Sequence, residues 1–207
     1  MRISEDRYTR DLRRLHLARR FIQHEVRTGW ICAWTGLSGS RVRNLFHSYL
    51  KGSRRRRGRP RGSKFSFLTS PDLRDEASAA CGLASVMGVV GQEAQPAQRG
   101  RGSYSLECGE RLCDAFELYR EVIPDGRLTL DQLMLLIKML TREDELAIGH
   151  CVECHGSLIV DRLGTARRLC LACKEQHHRS AASPPPDVST ADLHRFSSFA
   201  VQLPLGL

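Results

Sequence analysis

The sequence predicts a mainly α-helical protein: an amino-terminal helix-turn-helix, a helical core, and a small carboxyl-terminal lobe built on four cysteines. Three observations carry this. Apolar residues recur at three- and four-residue steps through several segments before residue 146, the period of helices with one buried face. A glycine, Gly36, interrupts two such segments where a tight helical turn is needed. The stretch CVECHGSLIVDRLGTARRLCLAC holds two C-x2-C pairs, Cys151/Cys154 and Cys170/Cys173, with fifteen residues between them. That is the spacing of a closed tetrahedral four-thiolate zinc site, which makes the lobe zinc-ribbon-like.

Residues 7–27 read as the first helix, with Tyr8, Leu12, Leu15, Ala18, Ile22 and Val26 on one stripe. Arg10, Arg13, Arg14, Arg20 and Arg27 lie off it as a basic face, either solvated or set against DNA. Residues 28–50 fit a helix-turn-helix: Cys32 where the helices cross, Gly36 in the turn, then Leu37, Val42 and Leu45 facing inward. Ser38 or Ser40 can cap the second helix. Ser38, Ser40, Arg41, Arg43, Asn44 and His47 then point outward, mostly residue types that reach base edges or phosphates of double-stranded DNA. Trp30 and Trp34 are expected as core anchors.

Residues 51–64, KGSRRRRGRPRGSK, form a basic loop in which Gly and Pro forbid a helix. Arg54, Arg55, Arg56, Arg57, Arg59 and Arg61 are its candidate DNA contacts. RGRPRG resembles an AT-hook, whose arginines favour the negative potential of a narrow minor groove; general phosphate attraction and a flexible loop without function are the competing readings. An extended link at 66–71 leads to a helix at 72–88, rich in small residues and so suited to close packing. A loop at 89–103 and a helix at 104–123 follow, the latter ended by Pro124-Asp125-Gly126. Thr129 and Gln132 match a capping box for a helix reaching about Glu145, whose wide apolar face makes it the centre of the core.

Within the cysteine lobe, Leu158–Val160 favour a strand, residues 162–165 a turn, and residues 166–169 a returning strand. Spacing alone does not separate zinc from iron of the rubredoxin kind, and thiol redox use is a weaker reading without a βαβ context. Four thiolates leave no open position, so the metal builds structure, worth about 10–16 kcal/mol in small zinc peptides. His150, His155, His177 and His178 are bystanders on this reading. Cys32, Cys81, Cys108 and Cys113 sit in apolar contexts as free thiols. The organisation expected is residues 1–50 as amino-terminal helices, 51–71 as basic loop and link, and 72–147 as helical core. Residues 148–175 form the cysteine lobe, and 176–207 a disordered tail.

Charge is unevenly spread. Residues 1–65 hold 18 Lys or Arg against four acids, while the whole chain carries a formal +9. A basic front on a mildly acidic body points to a polyanion partner. The start, MRISEDRYTR, has no apolar core of a secretory signal, and no run of 18 apolar residues exists, so a cytoplasmic protein without a membrane span is expected. No Ser/His/Asp set, carboxylate pair or phosphate-binding glycine loop stands in a convincing context, so an enzyme is not expected.

With these residues in view, the chain resembles the FlhC family, a bacterial flagellar transcriptional activator subunit. The likeness lies in TGLSGSRVRNLFHSYLKG, in RPRGSKFSFLTSPDLRDEASAAC, and above all in LTLDQLMLLIKMLTREDELAIGHCVECHGSLIVDRLGTARRLCLACK. It covers roughly residues 10–175. The resemblance implies a cytoplasmic protein that holds zinc through Cys151, Cys154, Cys170 and Cys173. It also implies a hetero-oligomer with an FlhD-type subunit that activates flagellar class II promoters with RNA polymerase. A metal-thiolate electron carrier or thiol oxidoreductase, and a zinc-ribbon RNA-binding protein, are the alternatives.

Overall fold

In the computed structural model, the described residues are 5–49, 66–90, 104–142, 145–164 and 167–182. They form α1 (Glu5–Gln23), α2 (Thr28–Thr35), α3 (Gly39–Tyr49), a 3-10 turn (Ser66–Thr69), α4 (Pro71–Val86), α5 (Leu106–Val122), α6 (Leu130–Arg142), β1 (Leu146–His150), β2 (Ser157–Asp161) and α7 (Leu171–Ala182). The mainly helical architecture expected from the sequence is thus present, with the four-cysteine segment at its carboxyl-terminal side. A compact unit spans Met1–Leu171; a second, Ala172–Leu207, contains the rest of α7.

Local signals account for the helix ends. After α1, Glu25 takes a left-handed conformation (φ 55°). Val26 N–H then reaches back to Phe21 O at 2.9 Å and Glu25 N–H to Ile22 O at 3.0 Å, the paired bonds that close an α-helix. Gly88 (φ 71°) does the same for α4, with Val89 N–H on Ala84 O at 2.8 Å. Ser105 caps α5 by accepting from Cys108 N–H at 3.1 Å. The capping box of α6 is present: Thr129 N–H donates to Gln132 Oε1 at 2.8 Å, and Gln132 N–H to Thr129 Oγ1 at 3.4 Å.

Helix α6 supplies the centre of the core, with Leu130, Leu133, Met134, Leu136 and Ile137 essentially removed from solvent. Trp34 is buried and stacks on Tyr104 (centroids 4.0 Å apart), with Phe21 edge-on at 6.3 Å. Trp30 is only half-buried and carries Lys138 Nζ over its ring. Glu76 of α4 knits three segments by accepting from Tyr119 Oη at 2.8 Å and from the N–H groups of Arg127 and Leu128.

Several expectations need correction. The buried stripe of α1 is Leu17, Ala18, Phe21 and Ile22, whereas Tyr8 (70% exposed) and Leu12 (42%) face solvent. Only the second half of α1 meets the core, so apolar periodicity overstated its buried length. The basic face of α1 is largely an internal seam. Arg13 pairs with Glu110, Arg20 with Asp114 and Glu117, Arg27 with Asp131, and Arg14 with Asp11. The partners of Arg13 and Arg20 climb α1 and α5 in step, so these helices run parallel, and arginine from one meets carboxylate from the other. Helix α6 is described from Leu130 to Arg142; residues 143–144 of its expected end lie outside the described residues, and Glu145 is a bend before β1. The strand at 158–160 exists, but its partner among the described residues is β1, which precedes Cys151; of the expected return at 166–169, residue 166 lies outside the described residues and 167–169 are in no strand. The expected tail begins too early, because α7 continues through residues 176–182.

Candidate metal centre and recognition helix

The four cysteines of the two C-x2-C pairs converge. The sulfurs of Cys151, Cys154, Cys170 and Cys173 all lie within 4.8 Å of one another, and this cluster can hold a metal ion. Metal–sulfur bonds of about 2.3 Å put the edges of a sulfur tetrahedron at about 3.8 Å; Cys154 and Cys170 sulfurs are 3.8 Å apart. The donor set is all thiol, so it fits a tetrahedral thiophilic ion and leaves no ligand position for water.

Each pair is positioned by a different device. The first sits in the turn of the β1–β2 hairpin. Cys151 N–H donates to Gly156 O at 2.8 Å and His155 N–H to Cys151 O at 3.0 Å. His155 takes φ 57° to make this turn possible, a conformation that His tolerates better than most residues. Its role is therefore backbone geometry, and His150 Nδ1 lies 3.3 Å from its carbonyl. Backbone N–H groups of Cys154 and Cys170 aim at Cys151 Sγ and, with smaller contributions from its surroundings, lower its pKa to about 6. Cys151 is thereby poised as a thiolate at neutral pH.

The second pair sits at the start of α7, with Cys170 before the helix and Cys173 in its first turn. Cys170 N–H points at Cys151 Sγ at 3.5 Å. Leu171 N–H, the first of the helix, donates to Asp75 Oδ2 at 2.7 Å. The other oxygen of Asp75 takes Arg167 Nη2, and Arg167 Nε donates to Leu169 O at 3.1 Å.

Helix α4 also supports the first pair. Ser78 Oγ accepts from Ile159 N–H at 3.0 Å and donates to Arg74 O at 2.8 Å, closing the outer edge of β2. Gly82 lies so near Ser157 that a Cβ there would stand 2.7 Å from its Oγ. Asp75, Ser78, Gly82 and Arg167 were not among the sequence candidates. The run of small residues in α4 was the one available signal. The Asp75–Arg167 pair, 92 positions apart, had none.

The second candidate site is α3. Gly36 ends α2 in the left-handed conformation (φ 69°, ψ 9°), and its N–H reaches Cys32 O at 2.9 Å. Thr35 Oγ1 bonds both ways, to Ile31 O at 2.6 Å and from Leu37 N–H at 3.2 Å, which locks the turn. Ser38 is the cap: its Oγ accepts from Arg41 N–H at 3.4 Å and lies 3.1 Å from Ser40 Oγ. Val42 is fully buried as expected, but its inward companion is Phe46, with Leu45 half-buried on the flank. Positions four apart stack one above the other on a helix, so Val42 and Phe46 define the inner line.

Ser38, Ser40, Arg41, Arg43, Asn44 and His47 are all exposed. Among the described residues neither Arg41 nor Arg43 is in an ion pair, in contrast to Arg13, Arg14 and Arg20 of α1 and to Arg27. Arg54, Arg55, Arg56, Arg57, Arg59 and Arg61 lie outside the described residues. Of the remaining cysteines, Cys81, Cys108 and Cys113 are buried and Cys32 half-buried, all as free thiols. Burial pushes the Cys81 and Cys113 thiols up to about 12, so they are inert. No described helix is long and apolar enough to cross a membrane.

Scanned against models of protein families the chain matches none, and a search of curated proteins likewise finds no match.

Proposed function

We propose that the chain is a zinc-stabilised, DNA-binding subunit of a transcription activator, not an enzyme, of the kind its sequence resembles in FlhC. Zinc is held by Cys151, Cys154, Cys170 and Cys173 and serves the fold. Helix α3 lies in the major groove of double-stranded DNA, with Ser38, Ser40, Arg41, Arg43, Asn44 and His47 toward bases and phosphates. The arginines of 54–61 add phosphate or minor-groove contacts. An FlhD-type subunit docks on exposed apolar helix surface, where Leu118 and Val122 stand one turn apart on α5. The assembly acts in the cytoplasm with RNA polymerase at flagellar promoters.

One observation carries the reading: a capped helix after a left-handed glycine turn presents six polar residues outward, with both its arginines out of ion pairs among the described residues. The test is a gel-shift series with promoter DNA at rising salt, on protein co-purified with its partner and assayed for metal. Binding that weakens steeply with salt, with one zinc per chain, is expected. Binding that is absent or indifferent to salt removes the DNA reading. Equal competition by duplex RNA moves it to RNA, and a visible absorption band replaces zinc with iron.

A further inference from the structure

We infer that Asp75, on α4, is a positioning residue for the metal centre: it fixes the second cysteine pair and so sets how tightly and how long the metal is held. This rests on the metal reading above but not on DNA binding.

The two pairs differ in what supports them. Cys151 and Cys154 ride in a hairpin turn that is hydrogen-bonded to itself and braced through Ser78. Cys170 is joined to that hairpin by its N–H on Cys151 Sγ at 3.5 Å and, through the residues before it, by Val152 N–H on Arg168 O at 3.0 Å. The segment before it, residues 167–170, is in neither helix nor strand. Two anchors tie it to α4, and both end on one carboxylate: Leu171 N–H on Asp75 Oδ2 at 2.7 Å, and Arg167 on Asp75 Oδ1. Arg167 then holds the Leu169 carbonyl at 3.1 Å. Asp75 is therefore the acceptor at the amino end of α7 and the counter-ion of the preceding loop at once. Cys170 lies between those two fixed points, and Cys173 follows in the first turn of the same helix. An outer group that orients ligands in this way typically accounts for about 10–100-fold in metal affinity.

The chain's own cysteines supply the assay. Asp75→Ala removes both anchors, and Asp75→Asn keeps an oxygen for Leu171 N–H while losing the charge pair with Arg167. Zinc-loaded full-length protein is challenged with a chelator. The same protein is then pulsed with an alkylating reagent and its modified cysteines are mapped. For Asp75→Ala a loss of affinity of about 10–100-fold is expected, with a smaller loss for Asp75→Asn. Labelling should rise at Cys170 and Cys173 ahead of Cys151 and Cys154, while buried Cys81 and Cys113 stay protected. Wild-type affinity and labelling in both variants overturn the inference. So does a uniform rise that includes Cys81 and Cys113, because Asp75 would then support the whole fold rather than one pair. If the wild type takes up no zinc, the metal reading falls. The labelling order in metal-free protein still decides the clamp, since its hydrogen bonds involve no metal.

Discussion

Gly82 offers a test in which the sign of a stability change depends on one neighbour. A Cβ at this position would meet Ser157 Oγ at 2.7 Å and Ser157 Cβ at 2.9 Å. Two opposing effects follow from Gly82→Ala. Alanine is the better helix former by about 1 kcal/mol in a helix interior. Overpacking of a tight contact costs about 1–3 kcal/mol. The net expectation is a protein destabilised by up to about 2 kcal/mol. In a Ser157→Gly background both close atoms are gone, so the same substitution should stabilise by about 1 kcal/mol. The coupling between the two sites is then about 1–3 kcal/mol. Urea unfolding of the four proteins at one saturating zinc concentration measures it, because metal bound to the folded state adds its own stability. Stabilisation by the same amount in both backgrounds would refute the reasoning, for it would mean that α4 does not press on the start of β2. The result bears on the site, because Ser157 follows directly on the turn that carries Cys151 and Cys154.

Gly36→Ala forces a side chain into the left-handed region and should lower stability by about 1–2 kcal/mol; an unchanged urea midpoint would show that the α2–α3 turn tolerates another conformation. Arg43→Ala should relax sequence preference in DNA binding, by about 1–3 kcal/mol at the base it reads. Arg56→Ala should instead weaken all sequences alike, and indistinguishable behaviour of the two variants argues against dividing readout from phosphate attraction. Burial would raise the pKa of Glu76, but the Tyr119 hydroxyl, two backbone N–H groups and Arg127 together hold it below its ordinary value. Its contribution is thus complete above the unfolded value near 4.5 and lost as pH falls through the lower folded pKa. Glu76→Gln should narrow its stability deficit relative to wild type across that acid window in paired denaturation curves, and a constant deficit contradicts the linkage.

What the sequence made legible was local. The cysteine pairs, the Gly36 turn, the Ser38 cap and the Thr129/Gln132 box each depend on residues within a few positions of one another, and each is where the pattern put it. Errors arose where two distant segments compete for one partner. Residues 158–160 read correctly as a strand, but β propensity does not name the strand opposite, which is β1. Tyr8 and Leu12 continue a faultless helical stripe that has no core beneath it. Leu45 and Phe46 are both apolar neighbours, and only the packed structure decides which faces in. Asp75 was invisible for the same reason: one carboxylate in α4 says nothing about a loop that arrives 92 residues later.

The distribution of arginines sharpens the nucleic-acid proposal into a number. Composition alone would assign the whole basic front of residues 1–65 to a polyanion. The ion pairs disagree, since Arg13, Arg14, Arg20 and Arg27 already neutralise carboxylates within the protein. The arginines put forward as DNA contacts are eight: Arg41 and Arg43 on α3, and Arg54, Arg55, Arg56, Arg57, Arg59 and Arg61. At about −0.9 per phosphate neutralised, log affinity should fall against log salt with a slope no steeper than about −7 per chain. The partner's own contribution is removed by comparing wild type with a chain in which those eight are replaced. If the replaced chain keeps most of the slope, α1 or the body of the protein is the true contact surface. The α1–α5 ion pairs would then have to open on DNA, an exchange of one set of anions for another that Glu110→Gln and Glu117→Gln would make easier.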